Sequence, residues 1–229
     1  GEVVGLAGLV GSGKSQIGRA CFGLEKITAG KIIFDGNVIF DNVAKIDDLS
    51  PTQMLEKGLY YLPSDRRAEG LIMIQNVREN ISVSSLDLPQ FSGPLFLNRF
   101  SERSVVTNIA KKLALQPFNI ERDLEHFSGG NQQKVLVGKS LVRDVKLFIF
   151  DEPTVGVDVG ARVSIYEFIR DLCEAGAGVL LISSDLPEIL NLAHRTYVMH
   201  RGDCCAEIEQ QNISEKVVLE HFFERQART

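Results

Sequence analysis

Three stretches carry residues whose types and spacing could do chemistry. Gly8-Leu9-Val10-Gly11-Ser12-Gly13-Lys14-Ser15 fits G-x-x-x-x-G-K-[S/T]. Glycines at these positions let the backbone curl so that its N–H groups point inward at an anion. Lys14 can reach terminal phosphate oxygens as a point charge, and the Ser15 hydroxyl suits Mg²⁺. With Gln16 opening the helix that follows, these residues form a candidate phosphate cradle. Asp151-Glu152 ends the apolar run Leu147-Phe148-Ile149-Phe150. There Asp151 would hold Mg²⁺, directly or through water, and Glu152 would orient or deprotonate an attacking water, a role worth about 10²–10⁴-fold. In Phe127-Ser128-Gly129-Gly130-Asn131-Gln132-Gln133, a serine and two glycines open a helix whose first N–H groups could meet an anion. Each stretch also has a plainer reading: a glycine-rich turn, two solvated carboxylates at a strand end, an ordinary helix cap. The first two together imply a bound nucleoside triphosphate. The glycine order does not fit the dinucleotide pattern G-x-G-x-x-G.

The elements that must position these residues alternate between strand and helix. Val3, Val4 and Leu6 predict a strand before the loop, and residues 14–22 a helix after it, whose N-terminus adds positive potential. Residues 31–34 and 38–40 flank Asp35-Gly36 as a hairpin. Ser50-Pro51-Thr52-Gln53 predicts a capped helix start, and Gly58 its end. Residues 59–62 read as a buried strand running into the polar loop 63–70. Over residues 71–142 helical periodicity replaces strand texture. Ser101 is expected to cap one helix, residues 131–142 form another, and residues 89–97 are the least regular part. Strands return at 147–150 and 179–183, with a helix over 161–175 between them. A final hairpin (196–199 and 205–208, around Arg201-Gly202-Asp203) and a terminal helix over 214–225 follow. The pattern implies an α/β fold: a mainly parallel sheet core with an inserted helical subdomain. In such sheets ligands sit at the carboxyl ends of strands. The phosphate loop, Asp65, Asp151 and Ser184 all follow strands, so they could share one rim.

The 229 residues suit one large domain, and the net charge of −5 shows no basic stripe that would favour nucleic acid. Cys21, Cys173, Cys204 and Cys205 form no C-x-x-C, which suggests neither a zinc site nor a disulfide framework. A reduced, cytosolic chain is the simplest account. No signal peptide is expected from these residues, and no apolar run among them is long enough to cross a membrane. Residue 1 is glycine, a few residues before the first strand, so the sequence is expected to be a piece of a longer chain.

The order of phosphate loop, helical insertion, Ser128 stretch and Asp-Glu-Pro, covering the whole chain, resembles the ABC ATPases. Residues 127–133 are similar to the L-S-G-G-Q signature, with Phe for Leu and Asn for Gln. The run Ser128-Gly129-Gly130-Asn131-Gln132-Gln133-Lys134 resembles one branch: the ATP-binding subunits of bacterial monosaccharide importers of the ribose, galactose, xylose, arabinose and autoinducer-2 type. Those subunits carry two ABC halves in one polypeptide, and further stretches look like the second, C-terminal half. Gly5-Leu6-Ala7-Gly8-Leu9-Val10-Gly11 is similar to its opening, and Ser64-Asp65-Arg66-Arg67-Ala68-Glu69-Gly70-Leu71 to its E-D-R-K-x-x-G-L box. Asp151 to Gly160 resembles D-E-P-T-R-G-I-D-V-G, and residues 183–188 match S-S-D-L-P-E.

The resemblance implies a P-loop NTPase fold of the ABC ATPase kind: one nucleotide-binding domain over residues 1–229, with a RecA-like core (1–70 and 143–229) and a helical subdomain (71–142). It implies ATP and Mg²⁺ as ligands, and ATP hydrolysis that powers monosaccharide import at the cytoplasmic face of the bacterial inner membrane. The implied partners are another ABC half, fused N-terminally, transmembrane permease subunits and, indirectly, a periplasmic sugar-binding protein; nucleic acid is not among them. Ser128, Gly129, Gly130, Asn131 and Gln132 would complete the ATP site of the partner half, and Asp158 would be the D-loop aspartate across the seam. Two positions depart from the family pattern. Ser64 or Asp65 stands where a Gln is usual, and Ser184 where a His contacts the γ-phosphate, a kind of contact whose loss costs about 10²–10³ in rate. Lys14 is retained, although many second halves carry Arg there. Nucleotide binding is therefore expected to be intact and hydrolysis at this domain's own site weak. Two roles stay open: half of an ATPase motor, or a module that holds ATP statically and lends its signature to the other half. A third is an ABC ATPase without a transporter, for DNA repair or translation; the DNA-repair heads would call for long coiled-coil heptads or zinc-binding C-x-x-C insertions, and this sequence has neither. The aromatic residue that stacks on adenine in ABC domains is expected upstream of residue 1. The sugar cannot be read from these residues.

Overall fold

The computed structural model describes residues 1–47, 49–93 and 96–223. The chain forms two compact units, one of residues 1–61, 146–152 and 168–229, the other of residues 62–145 and 153–167.

The first unit is built on a sheet of order β4-β5-β6-β1-β7-β8. At its centre β1 (Glu2–Gly8) runs parallel to both β6 (Gly178–Ser183) and β7 (Arg195–His200). Strand β5 (Leu147–Asp151) is parallel to β6, β4 (Leu59–Leu62) lies on its far side, and β8 (Asp203–Glu209) returns antiparallel to β7. The near-continuous apolar runs of β4, β5 and β6 follow from burial on both faces of a parallel sheet. The core gathers Leu6, Phe22, Met54, Tyr61, Ile149 and Ile182. The expected hairpin is β2 (Lys31–Phe34) with β3 (Asn37–Asp41). Helix α1 spans Lys14–Cys21 and α2 Pro51–Glu56. The start of α2 is the reciprocal cap read from its sequence: Ser50 Oγ accepts from the Gln53 amide, and the Gln53 side chain accepts from the Ser50 amide. Helix α7 (Leu186–Leu192) is an addition to the expected elements, and α8 covers Glu215–Phe223. The expected end of that last helix, Arg225, lies outside the described residues.

The second unit is helical, with α3 (Val77–Ser82), α4 (Arg99–Lys112) and α5 (Gly129–Ser140) packed on one another through Val77, Ile81, Val106, Ile109 and Leu136. Helix α6 (Val159–Glu174) starts within it. Ser101 does not cap α4. Asn98 does, its side chain accepting from the Ser101 amide, so the helix starts one turn earlier than expected. Both residue types make good caps, and apolar periodicity does not choose between sites three residues apart. Pro94 and Leu95, within the stretch read as irregular, lie outside the described residues. Among the described residues no helix is long and apolar enough to cross a membrane.

Candidate functional site

Sheet register sets the first cluster. Leu6 of β1 and Asp151 of β5 both lie opposite Ile182 of β6, so the loops after β1, β5 and β6 leave the sheet at one level. Gly11 (φ +83°) and Gly13 (φ +96°) curl the first of these loops, in a region that side-chain-bearing residues seldom enter. Gly13 then caps α1. Within this unit the structure brings Lys14, Ser15, Asp151, Glu152 and Ser184 together. Lys14 is 4% exposed, and its Nζ lies 2.9 Å from Glu152 Oε1. The Ser184 backbone N–H donates to the same oxygen at 2.9 Å, so it is the main chain of Ser184 that meets Glu152. Ser15 Oγ donates to Asp151 Oδ1 at 2.9 Å, and the Tyr61 hydroxyl donates to Asp151 Oδ2 at 2.7 Å.

Glu152 adopts φ +50°, a conformation that costs a non-glycine residue about 1–3 kcal/mol, and its amide extends the sheet by donating to Ile182 O at 2.8 Å. Burial raises the Asp151 carboxyl above its ordinary range, opposed by the hydroxyls of Tyr61 and Ser15. Burial, and then the Asp151 carboxylate, push the Tyr61 phenol well above its own, so it stays a neutral donor.

The cluster fits a phosphate chain with Mg²⁺. Ser12 is 5% exposed, and its Oγ has no hydrogen-bond partner among the described residues, a buried polar atom left for an outside ligand to satisfy. Ser15 spends its one proton on Asp151, which leaves its lone pairs for a cation. A hydroxyl and one carboxylate are hard oxygen donors of the kind Mg²⁺ uses beside phosphate oxygens. The loop tip Leu9, Val10 and Gly11 is exposed, as is Gln16. The loop is steadied from the far end of the chain: the Gly202 amide, in the β7–β8 turn, donates to Ser12 O at 2.8 Å.

The remaining sequence candidates lie in the helical unit. Ser64 and Asp65 are exposed, and the Asp65 carboxylate is spent on capping the turn Arg66–Gly70 through the amides of Arg67 and Ala68. Ser128 caps α5, accepting from Asn131. The buried Gln132 is a bracket rather than an open group: its Nε2 donates to Phe127 O at 2.9 Å. Asn131 Oδ1 accepts from the Gln116 amide at 2.9 Å. The Asp158 carboxylate caps α6, accepting from the Ala161 amide at 2.9 Å. Two glycines let this segment close on α5. A Cβ on Gly130 would lie 2.7 Å from the Ala161 Cβ, and one on Gly129 would lie 2.9 Å from Arg66 Nη2. That guanidinium also donates to the carbonyls of Val155 (3.1 Å) and Gly156 (3.2 Å). Tyr61 and Gly202 are thus participants that the sequence did not single out, and Arg66 was quoted there only as part of a resemblance, with no role of its own. Of the first two, Tyr61 alone carried a signal, since a phenol in a buried apolar strand needs a partner for its hydroxyl.

Comparison with known proteins gives a consistent set. The family described as ABC transporter matches residues 1–155. The ribose import ATP-binding protein RbsA of Caldanaerobacter subterraneus subsp. tengcongensis is 42% identical over 220 residues, covering 96% of this chain and 42% of that protein. The arabinose import ATP-binding protein AraG of Pectobacterium atrosepticum is 38% identical over 219 residues, covering 96% and 42%. The chain therefore spans about two fifths of the length of these curated relatives. Among solved structures, a nucleotide-free ATP-binding cassette from an ABC transporter superposes with a TM-score of 0.77 at 23% identity, covering 97% of this chain and 88% of the other. The cassette MJ0796, in a dimeric post-hydrolysis state bound to ADP and Pi, gives 0.75 at 20%, covering 93% and 87%. The fold is that of an ABC ATPase.

Proposed function

The chain belongs to the ABC transporter family, and from that premise we propose that it is an ATP-binding and ATP-hydrolysing domain that powers import of a monosaccharide. The observation that carries this is the convergence of Lys14, Ser15, Asp151 and Glu152 at one sheet rim. In this reading the loop amides from Gly8 to Gln16 cradle the phosphates, and Ser15 and Asp151 hold Mg²⁺. The ion, when bound, offsets charge on the β- and γ-phosphates. Lys14 has two suitors, the Glu152 carboxylate it now pairs with and a terminal phosphate. Passing Lys14 to the phosphate leaves Glu152 held by the Ser184 amide and able to orient or accept a proton from water.

Ser184 offers a hydroxyl where the family usually has imidazole, so this domain's own site turns over slowly. Ser128 to Asn131 act on the ATP of the other half, with the buried Gln132 bracing their turn from within and Asp158 beside that seam. We read the 229 residues as one nucleotide-binding domain, the second half of a fused pair. It would work with transmembrane permease subunits at the cytoplasmic face of the inner membrane and, through them, with a periplasmic sugar-binding protein. The relatives' names support ribose or arabinose as substrate class.

The test is thermal denaturation with and without MgATP. At a ligand concentration 100 times Kd, mass action adds about 2.7 kcal/mol, or roughly 5–11 °C for a chain of this size. Lys14→Ala should abolish that shift, and an equal shift in both proteins would reject the assignment.

A further inference from the structure

We infer that Tyr61 is a positioning residue for the Mg²⁺ of the bound nucleotide: its hydroxyl pins Asp151 Oδ2 so that Oδ1 stays turned to Ser15 and the metal. The inference rests on the nucleotide reading above and names a part for a residue that the reading leaves unused.

Asp151 is 1% exposed, so solvent does not fix its carboxylate. Each of its oxygens accepts one hydroxyl, Ser15 on Oδ1 and Tyr61 on Oδ2. Ser15 is itself a candidate metal ligand and follows the ion. Tyr61 is the anchor that does not move with it. A carboxylate held at one oxygen only can swing about its last torsion, which is broad for Asp. Held at both, it cannot turn without breaking a buried hydrogen bond.

The anchor is rigid for structural reasons. Tyr61 sits in β4 beside β5, the strand that ends in Asp151. Its ring stacks on Phe22 at 5.9 Å between centroids, with 27° between planes. On α1 the absence of a side chain at Gly18 lets the helix close on the sheet beside the ring: a Cβ there would come 2.6 Å from Ile182 Cδ1 and 3.1 Å from Ile149 Cγ2, and would just touch a Tyr61 ring carbon at 3.4 Å. The packing therefore fixes the height of the hydroxyl over Asp151. The bland account is that Asp151 merely satisfies a buried phenol. That account predicts a change in stability alone, whereas positioning predicts a change in how the site uses the metal.

Tyr61→Phe keeps the ring and removes one oxygen. ATP binding would be measured by titration calorimetry in EDTA and across a Mg²⁺ series, with Mn²⁺ paramagnetic resonance as a second readout of the ion. The expected result is ATP affinity in EDTA within about twofold of wild type, a Mg²⁺-dependent gain in ATP affinity reduced about tenfold, and a Mn²⁺ spectrum broadened by looser coordination. Phe22→Leu, which loosens the packing behind the ring but keeps the hydroxyl and its bond to Asp151, should lower the melting temperature and cost clearly less of the Mg²⁺ gain than Tyr61→Phe does. A full Mg²⁺ gain in Tyr61→Phe would overturn the inference, and so would an equal loss of that gain in Phe22→Leu. If wild-type protein binds ATP without any Mg²⁺-dependent gain, the assignment of Ser15 and Asp151 falls, and this inference with it. Failure of wild-type protein to bind ATP at all would overturn the nucleotide reading itself.

Discussion

Gly130→Ala probes the seam between the Ser128 turn and the start of α6 without involving any ligand. The added Cβ would sit 2.7 Å from the Ala161 Cβ and 3.2 Å from Asp158 Oδ2. Carbon atoms rest at about 3.5–4.0 Å, and the Ala161 Cβ has no rotamer through which to withdraw. The Asp158 carboxylate has little freedom either, because its other oxygen caps α6 through the Ala161 amide. The first turns of α5 and α6 must therefore part by about 1 Å. Overpacking of this kind costs about 1–3 kcal/mol, and a disturbed cap adds about 1 kcal/mol. The better helix propensity of alanine returns about 0.5–1 kcal/mol. The net is about 1–3 kcal/mol, or a fall in melting temperature of roughly 2–12 °C for a chain of this size. Calorimetry of a double-mutant cycle isolates the contact. Ala161→Gly alone should cost about 0.5–1 kcal/mol, yet in the Gly130→Ala background it should restore stability, with a coupling of at least 1 kcal/mol. A harmless Gly130→Ala, or a cycle that is simply additive, would refute the packing argument.

Two further expectations concern pH and rate. Burial lowers the Lys139 ammonium to about 8, against about 10.4 in an unfolded chain. Between those values the unfolded chain holds the proton and the folded one does not, so stability rises with pH across the window, by about 3 kcal/mol at full extent. Denaturant melts of wild type and Lys139→Met should differ by that rise, and parallel curves would show that the amine is better solvated than its surroundings indicate. The chain on its own should turn over ATP more slowly than about 1 s⁻¹, the low end for enzymes. A phosphate-release assay showing faster turnover that disappears in Glu152→Gln would contradict the role given to Ser184.

What the sequence disclosed was whatever depends on near neighbours. The loop from Gly8 to Ser15, the apolar run ending in Asp151 and the Ser50–Gln53 cap are each settled within a few residues, and each stands in the structure where its pattern put it. The cap of α4 was misplaced because Asn98 and Ser101 offer the same local chemistry and only packing decides between them. The pairing of Tyr61 with Asp151, and of Arg66 with Gly156, joins residues 90 apart, so no window along the chain contains both partners. The Asp65 and Asp158 carboxylates illustrate a different limit. Their places in a motif suggested functional groups; the structure leaves both exposed and has them cap a turn and a helix as well, a local role that the motif did not disclose.

Strand β1 leaves the ribosome well before its neighbours in the sheet, β6 and β7, residues 178–183 and 195–200. The anchor of its loop, Gly202, comes later still. At about 5–20 residues per second, the central strand waits roughly 9–35 s with both edges unpaired. Through that interval an apolar β-strand is open to mispairing, and the phosphate loop lacks its tether. The nucleotide site thus matures late in translation. A nascent chain stopped just after Asp185 would carry every motif residue from the loop through Asp185, and still lack β7 and the turn at Gly202 that hold the loop in shape.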